Sequence, residues 1–109
     1  MLKVTHNPRF THPVTVLAPI DGGHEEQTFR ARFQVPGEDA PDIFRARSSE
    51  EIAAFFRAAW VGFEDVADAN GAPLPWSDAA RDELLRLPWV RTGLVAAYVA
   101  AVTKVRQGN

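Results

Sequence analysis

The residues most open to a chemical reading are the acidic run Asp65-Val66-Ala67-Asp68-Ala69-Asn70-Gly71. Carboxylate and amide oxygens just before a glycine invite comparison with a calcium loop. An EF-hand loop takes oxygen ligands at positions 1, 3 and 5, glycine at 6 and a bidentate glutamate at 12. With Gly71 at position 6, Asn70 and Asp68 fall on ligand positions. Val66 then occupies position 1 and Ser77 position 12, and neither can serve. The run reads as a solvated hairpin turn.

The other reactive residue types also resolve into structural roles. His6, His12 and His24 lie in the N-terminal third without metal-ligand spacing and read as surface histidines. Ser48, Ser49 and Ser77 stand at or beside helix starts rather than where a nucleophile would have a base. Gly22-Gly23 is a turn, not a phosphate loop. Glu50-Glu51 and Asp82-Glu83 fall on helix exteriors. There is no cysteine, hence no disulfide, thiolate metal site or thiol nucleophile. The sequence therefore predicts no enzyme activity, no cofactor and no metal.

Among the function classes, nucleic-acid and membrane binding are disfavoured. The formal charge is −2, with no basic patch. A C-terminal helix pair raises the possibility of a small helix-turn-helix regulator. Its last helix, however, carries only Arg91, Lys104 and Arg106, set apart by a long apolar stretch. The apolar-rich run Gly93 to Val102 is about half the length a bilayer requires. The N-terminus lacks the apolar region of a signal peptide, so a cytoplasmic location is expected.

The 109 residues, 46% hydrophobic and 24% charged, suit one globular domain. Residues 1–36 read as β-rich. Thr28 to Val35 alternates, with Phe29, Ala31, Phe33 and Val35 on one face and Thr28, Arg30, Arg32 and Gln34 on the other. Val14 to Pro19 is a second strand, and Asp21-Gly22-Gly23 supplies the turn of an antiparallel hairpin. Leu2 to Thr5 is read as a further edge strand, and Pro36 to Phe44 as a loop.

Residues 48–109 read as mainly helical. Ser48 and Glu51 form a capping box ahead of an Ile52, Phe55, Phe56, Ala59, Trp60 stripe that Gly62 ends. Asn70-Gly71 centres a short hairpin arm over residues 63–76, restricted by Pro73 and Pro75. Ser77 caps a second helix. Pro88 breaks the chain ahead of a last helix from about Trp89 to Val105. The expected fold is α+β: an N-terminal antiparallel hairpin or small sheet packed on about three helices. Phe29, Phe33, Ile52, Phe55, Phe56, Leu84, Leu85, Leu94 and Tyr98 are its expected core.

The order of these features resembles the small tail assembly chaperones of long-tailed bacteriophages and their prophages. The resemblance rests on "TFRARFQV", then "WVGFEDVADANGAPLPWS", then "DELLRLPWVRTGLVAAYVAAV" and a terminal "GN". It covers Thr28 to Asn109. Phe63 stands where such proteins often have tryptophan, and Trp76 where phenylalanine is frequent. The resemblance implies a non-enzymatic role: binding the tape measure protein, aiding assembly of tail-tube subunits around it, and self-association. A regulator, or another oligomeric prophage structural or scaffold protein, are the alternatives. The last helix is apolar on two sides, so Val95, Val99 and Val102, off the Val90–Leu94–Ala101 stripe, are candidate partner contacts. Trp89 and Phe63 are further candidates; the aromatics from Trp60 to Trp89 are either core or contact surface.

Overall fold

The computed structural model describes residues 1–103: β1 (Arg9–Ile20), β2 (Gly23–Gln34), α1 (Ser49–Ala59), β3 (Trp60–Glu64), α2 (Asp78–Leu84) and α3 (Pro88–Thr103). The three strands form one antiparallel sheet in the order β1-β2-β3, and the fold is α+β. The final residues of the expected last helix, with Lys104 and Arg106, lie outside the described residues.

The hairpin is longer than the apolar alternation indicates. Pairing runs from Arg9↔Gln34 to Ile20↔Gly23, through polar flanks whose ladder hydrogen bonds suffice to keep them extended. Only the second turn residue, Gly22, has positive φ (79°), a type II requirement that glycine meets without strain. The register is the one the alternation demands: Val14, Val16, Phe29, Ala31 and Phe33 are buried, while Thr28, Arg30 and Arg32 face solvent.

The edges of this sheet are defined by hydrogen-bond parity. Val35 N–H donates to the Pro8 carbonyl (2.9 Å). That bond makes even-numbered β1 residues the hydrogen-bonded partners of odd-numbered β2 residues. Pro13 and Pro19 are odd-numbered, so their missing donors face outward from β1 and cost the ladder nothing. On β2, conversely, the even-numbered residues turn their N–H and C=O toward β3.

Two expectations are corrected here. Trp60 does not extend the α1 stripe: α1 ends at Ala59, and Trp60, extended at φ −101° and ψ 112°, begins β3. Gly62 accordingly lies within a strand rather than at a helix end. It is close enough to β2 that an added Cβ would stand 3.2 Å from Arg32 Cβ. Val61 is an extra residue, with Arg32↔Gly62 and Phe33↔Trp60 flanking a register shift. Second, Leu2 to Thr5 forms no strand. Asn7 turns the backbone at φ 52° just before β1, and α3 closes on β1's outer edge at Thr15.

The 63–76 arm is reduced to a single bridge, Ala67↔Pro73, because Phe63 and Glu64 belong to β3 and the prolines withhold donors. Leu74 N–H donates to the Val66 carbonyl and Asp68 N–H to that of Ala72, both at 2.8 Å.

α1 and α3 cover the buried sheet face. Phe55 and Tyr98 meet edge-on at 4.9 Å, Phe55 and Phe56 at 5.0 Å, and Phe33 and Tyr98 at 5.5 Å. The expected core residues are buried except Ile52 and Leu84, which are half-buried. Leu84 ends the seven-residue α2, which buries no residue completely. α3 begins one residue earlier than the sequence suggests, with Pro88 as its first residue, where its absent N–H is not needed. At Gly93 the helix approaches β1 so closely that a Cβ would lie 2.7 Å from the Thr15 carbonyl oxygen.

Candidate interaction site

Several of the side chains that looked chemically capable are engaged in holding the fold. Asp68 Oδ1 accepts from Asn70 N–H (2.9 Å) and Ala72 N–H (3.0 Å), so the acidic loop uses this carboxylate to fix its own turn. Gly71, at φ 83°, completes that turn. Among the described residues, no group of three or more His, Asp or Glu is placed to hold a metal ion. Ser48 Oγ accepts from Glu51 N–H (3.2 Å), and Ser77 Oγ from Ala80 N–H (2.9 Å). The capping box is modified, in that Glu51 Oε1 accepts from Arg47 N–H (3.3 Å) instead of the cap residue's own amide. The His12 ring pairs with the adjacent Pro13 carbonyl through Nδ1 (2.8 Å).

Two basic side chains are similarly committed. Arg81 donates to the Arg57 carbonyl near the end of α1 (3.1 Å) and to Asp82 Oδ1 (3.0 Å), tying α2 to α1. Arg91, the basic residue of α3 among those described, donates to the Leu85 carbonyl at 2.8 Å. That bond closes the corner between α2 and α3 and withdraws Arg91 from the phosphate-contacting role a recognition helix would give it.

The five candidate contact residues do not form one surface. Val95, Val99 and Val102 share a stripe of α3, but Val95 and Val99 are half-buried against the core and Val102 is 38% exposed. Trp89 is half-buried beside a different pocket, with Leu84, Leu87 and Val66. Phe63 belongs to an aromatic cluster with Trp60 and Trp76, its ring 5.1 Å from Trp76 and 5.9 Å from Trp60. Trp60 is fully buried, and its Nε1–H donates to the Gly62 carbonyl (2.9 Å). These rings hold β3 and the acidic turn against the body.

Val102 instead rims a cleft of about 480 Å³ between the 36–44 loop and the C-terminal half of α3. Its apolar walls are Val35, Ile43, Phe44, Phe55, Tyr98 and Val102, and Glu38 and Asp42 stand at its margin. Phe44 is 57% exposed. A tight turn presents it: Asp42 Oδ1 accepts from Phe44 N–H (2.9 Å), which points Ile43 into the core and Phe44 outward. Burial at this cleft pushes the Tyr98 phenol above its ordinary value. Sequence reading missed the cleft because residues 36–44 read as a polar connection. The only signal was an Ile-Phe pair inside a Pro/Gly/Asp-rich loop.

No helix among the described residues is long and apolar enough to cross a membrane. No family model, curated protein or solved structure matches the chain.

Proposed function

We propose that the chain is a non-enzymatic tail assembly chaperone of a long-tailed phage or prophage. In this reading it acts in the host cytoplasm and holds the tape measure protein soluble while tail-tube subunits assemble around it. The observation that carries the reading is the open apolar cleft presenting Phe44 and Val102. The order of motifs from Thr28 onward supports the same class. A cleft walled by aromatic and branched side chains accepts the apolar stripe of a client helix with little demand on its sequence. Glu38 and Asp42 at the margin favour client helices flanked by lysine or arginine.

The test is co-expression with the tape measure protein of the same phage or prophage. The wild type should raise the client's soluble yield and co-purify with it. Phe44→Asp combined with Val102→Asp should abolish both effects while leaving the far-ultraviolet circular dichroism unchanged, because both side chains are exposed. A folded double variant that still holds the client in solution would remove the cleft from the reading. Wild-type duplex binding that survives ~0.2 M salt would replace the reading with that of a regulator.

A further inference from the structure

The β2 strand outruns its partner on one side. Pairing with β3 stops at Arg30↔Glu64, where Asp65 turns the chain away at φ 65°. The remainder of β2, Gly23 to Thr28, is exposed. By the parity of the ladder, His24, Glu26 and Thr28 direct their N–H and C=O outward along this edge. Among the described residues, none supplies a backbone partner for them. Such an edge is a template for an added strand.

A pocket of about 240 Å³ opens beside the same edge. Gln27, Thr28 and Phe29 form one wall, and Val66, Leu87 and Trp89 form others. A strand laid along β2 here would receive main-chain hydrogen bonds from the edge and place an apolar side chain in the pocket. That combination is the β-augmentation mode of recognition.

The chain itself holds a segment of matching pattern. Leu2, Lys3, Val4 and Thr5 alternate apolar and polar, yet Leu2 is 88% exposed and Val4 75%. With Leu2 and Val4 turned to the pocket face, Lys3 falls on the opposite face, which on β2 carries Glu26. The segment cannot take the Lys3–Glu26 register on its own edge. Lys3 is six residues from Arg9, a span of at most ~22 Å when fully extended. Arg9 pairs with Gln34, and from there to Glu26 is eight strand residues, ~27 Å. The occupant must come from another molecule.

We propose that residues 1–5 of one copy add as a fourth strand to the free β2 edge of a second copy. Leu2 or Val4 fills the pocket beside Trp89, and Lys3 pairs with Glu26. Two copies that exchange these segments reciprocally form a closed two-fold dimer. The proposal does not depend on the chaperone reading.

The experiment measures self-association of the full chain by sedimentation velocity from ~1 to ~100 μM, a range that brackets moderate affinities. Leu2→Asp with Val4→Asp should weaken association about a hundredfold or more, without altering the thermal melt at concentrations where the wild type is monomeric, because both residues are exposed and outside the sheet. Lys3→Glu and Glu26→Lys should each weaken it, and the two together should restore it. In hydrogen exchange, the Glu26 and Thr28 amides should be protected in the wild type and unprotected in the Leu2/Val4 variant. The Gln27 amide, which faces β1, should be protected in both. A monomeric wild type at the highest concentration, association that survives the Leu2/Val4 variant, or identical Glu26 exchange in the two proteins would each overturn the proposal.

Discussion

Replacing Gly93 with alanine tests the closest approach in the fold. A Cβ there would stand 2.6 Å from Val16 Cγ1 and 2.7 Å from the Thr15 carbonyl oxygen. Val16 is buried and stiff at χ1, and the carbonyl belongs to the main chain of β1, so neither can swing aside. α3 must retreat by about 0.8 Å, the difference between the 2.6 Å to Val16 Cγ1 and the 3.4 Å at which ordinary contact begins. A gap of that size forfeits a quarter to a half of the dispersion well for the atoms left behind. Overpacking of this kind costs about 1–3 kcal/mol, and a backbone obstacle places it at the upper end. Helix propensity works the other way, favouring alanine over glycine by about 1 kcal/mol. The net expectation is a loss of about 2 kcal/mol, which for a domain of this size lowers Tm by about 8 °C or more. Urea unfolding followed by circular dichroism measures the free energy, and an unchanged m-value shows that the comparison is valid. Ala100→Gly, at an exposed site on the same helix, calibrates the propensity term independently. A Gly93→Ala protein as stable as the wild type, or more so, would refute the placement of α3 on β1.

Phe56→Ala, at a fully buried position touching Phe33, Phe55 and Tyr98, should cost about 3–5 kcal/mol in denaturant titration. Ser48→Ala should cost about 1 kcal/mol through the lost cap of α1, whereas Ser49→Ala should be near neutral by the same assay. Melts in EDTA and in millimolar calcium should coincide, since Asp68 already serves two backbone donors; a rise of several degrees with calcium would restore the loop as a site. Tyr98, the single tyrosine, has its pKa raised by burial, so the unfolded chain ionises first as pH rises. Its contribution is therefore complete below the ordinary tyrosine value of 10.0 and is lost as pH climbs beyond it. In Tyr98→Phe that part of the alkaline decline should vanish.

The sequence by itself determined the local elements whose signals are short in range. Alternation from Thr28 to Val35 set which face of β2 is buried, since a one-residue slip would expose Phe29 and Phe33. Ser48 and Ser77 set two helix starts through caps made within four residues, and Gly22 and Gly71 marked the two turns at positive φ. The α+β class followed from these.

Tertiary structure decided the features that depend on distant partners. Trp60 fits a helical stripe equally well, and only pairing with Phe33 across the sheet draws it into β3. Leu2 to Thr5 has a strand's alternation but pairs with no strand of its own sheet. Gly93 looked like one small residue in an apolar helix, yet it sets how near α3 comes to β1. The cleft shares this origin: Phe44 in a polar loop and Val102 on a helix meet only because Ile43 and Tyr98 anchor both segments to one core. Nearest-neighbour preferences specify a residue's conformation over a few positions. Which face meets another, and which groups stay uncovered, is fixed by long-range packing, and the candidate surfaces of this protein are of that second kind.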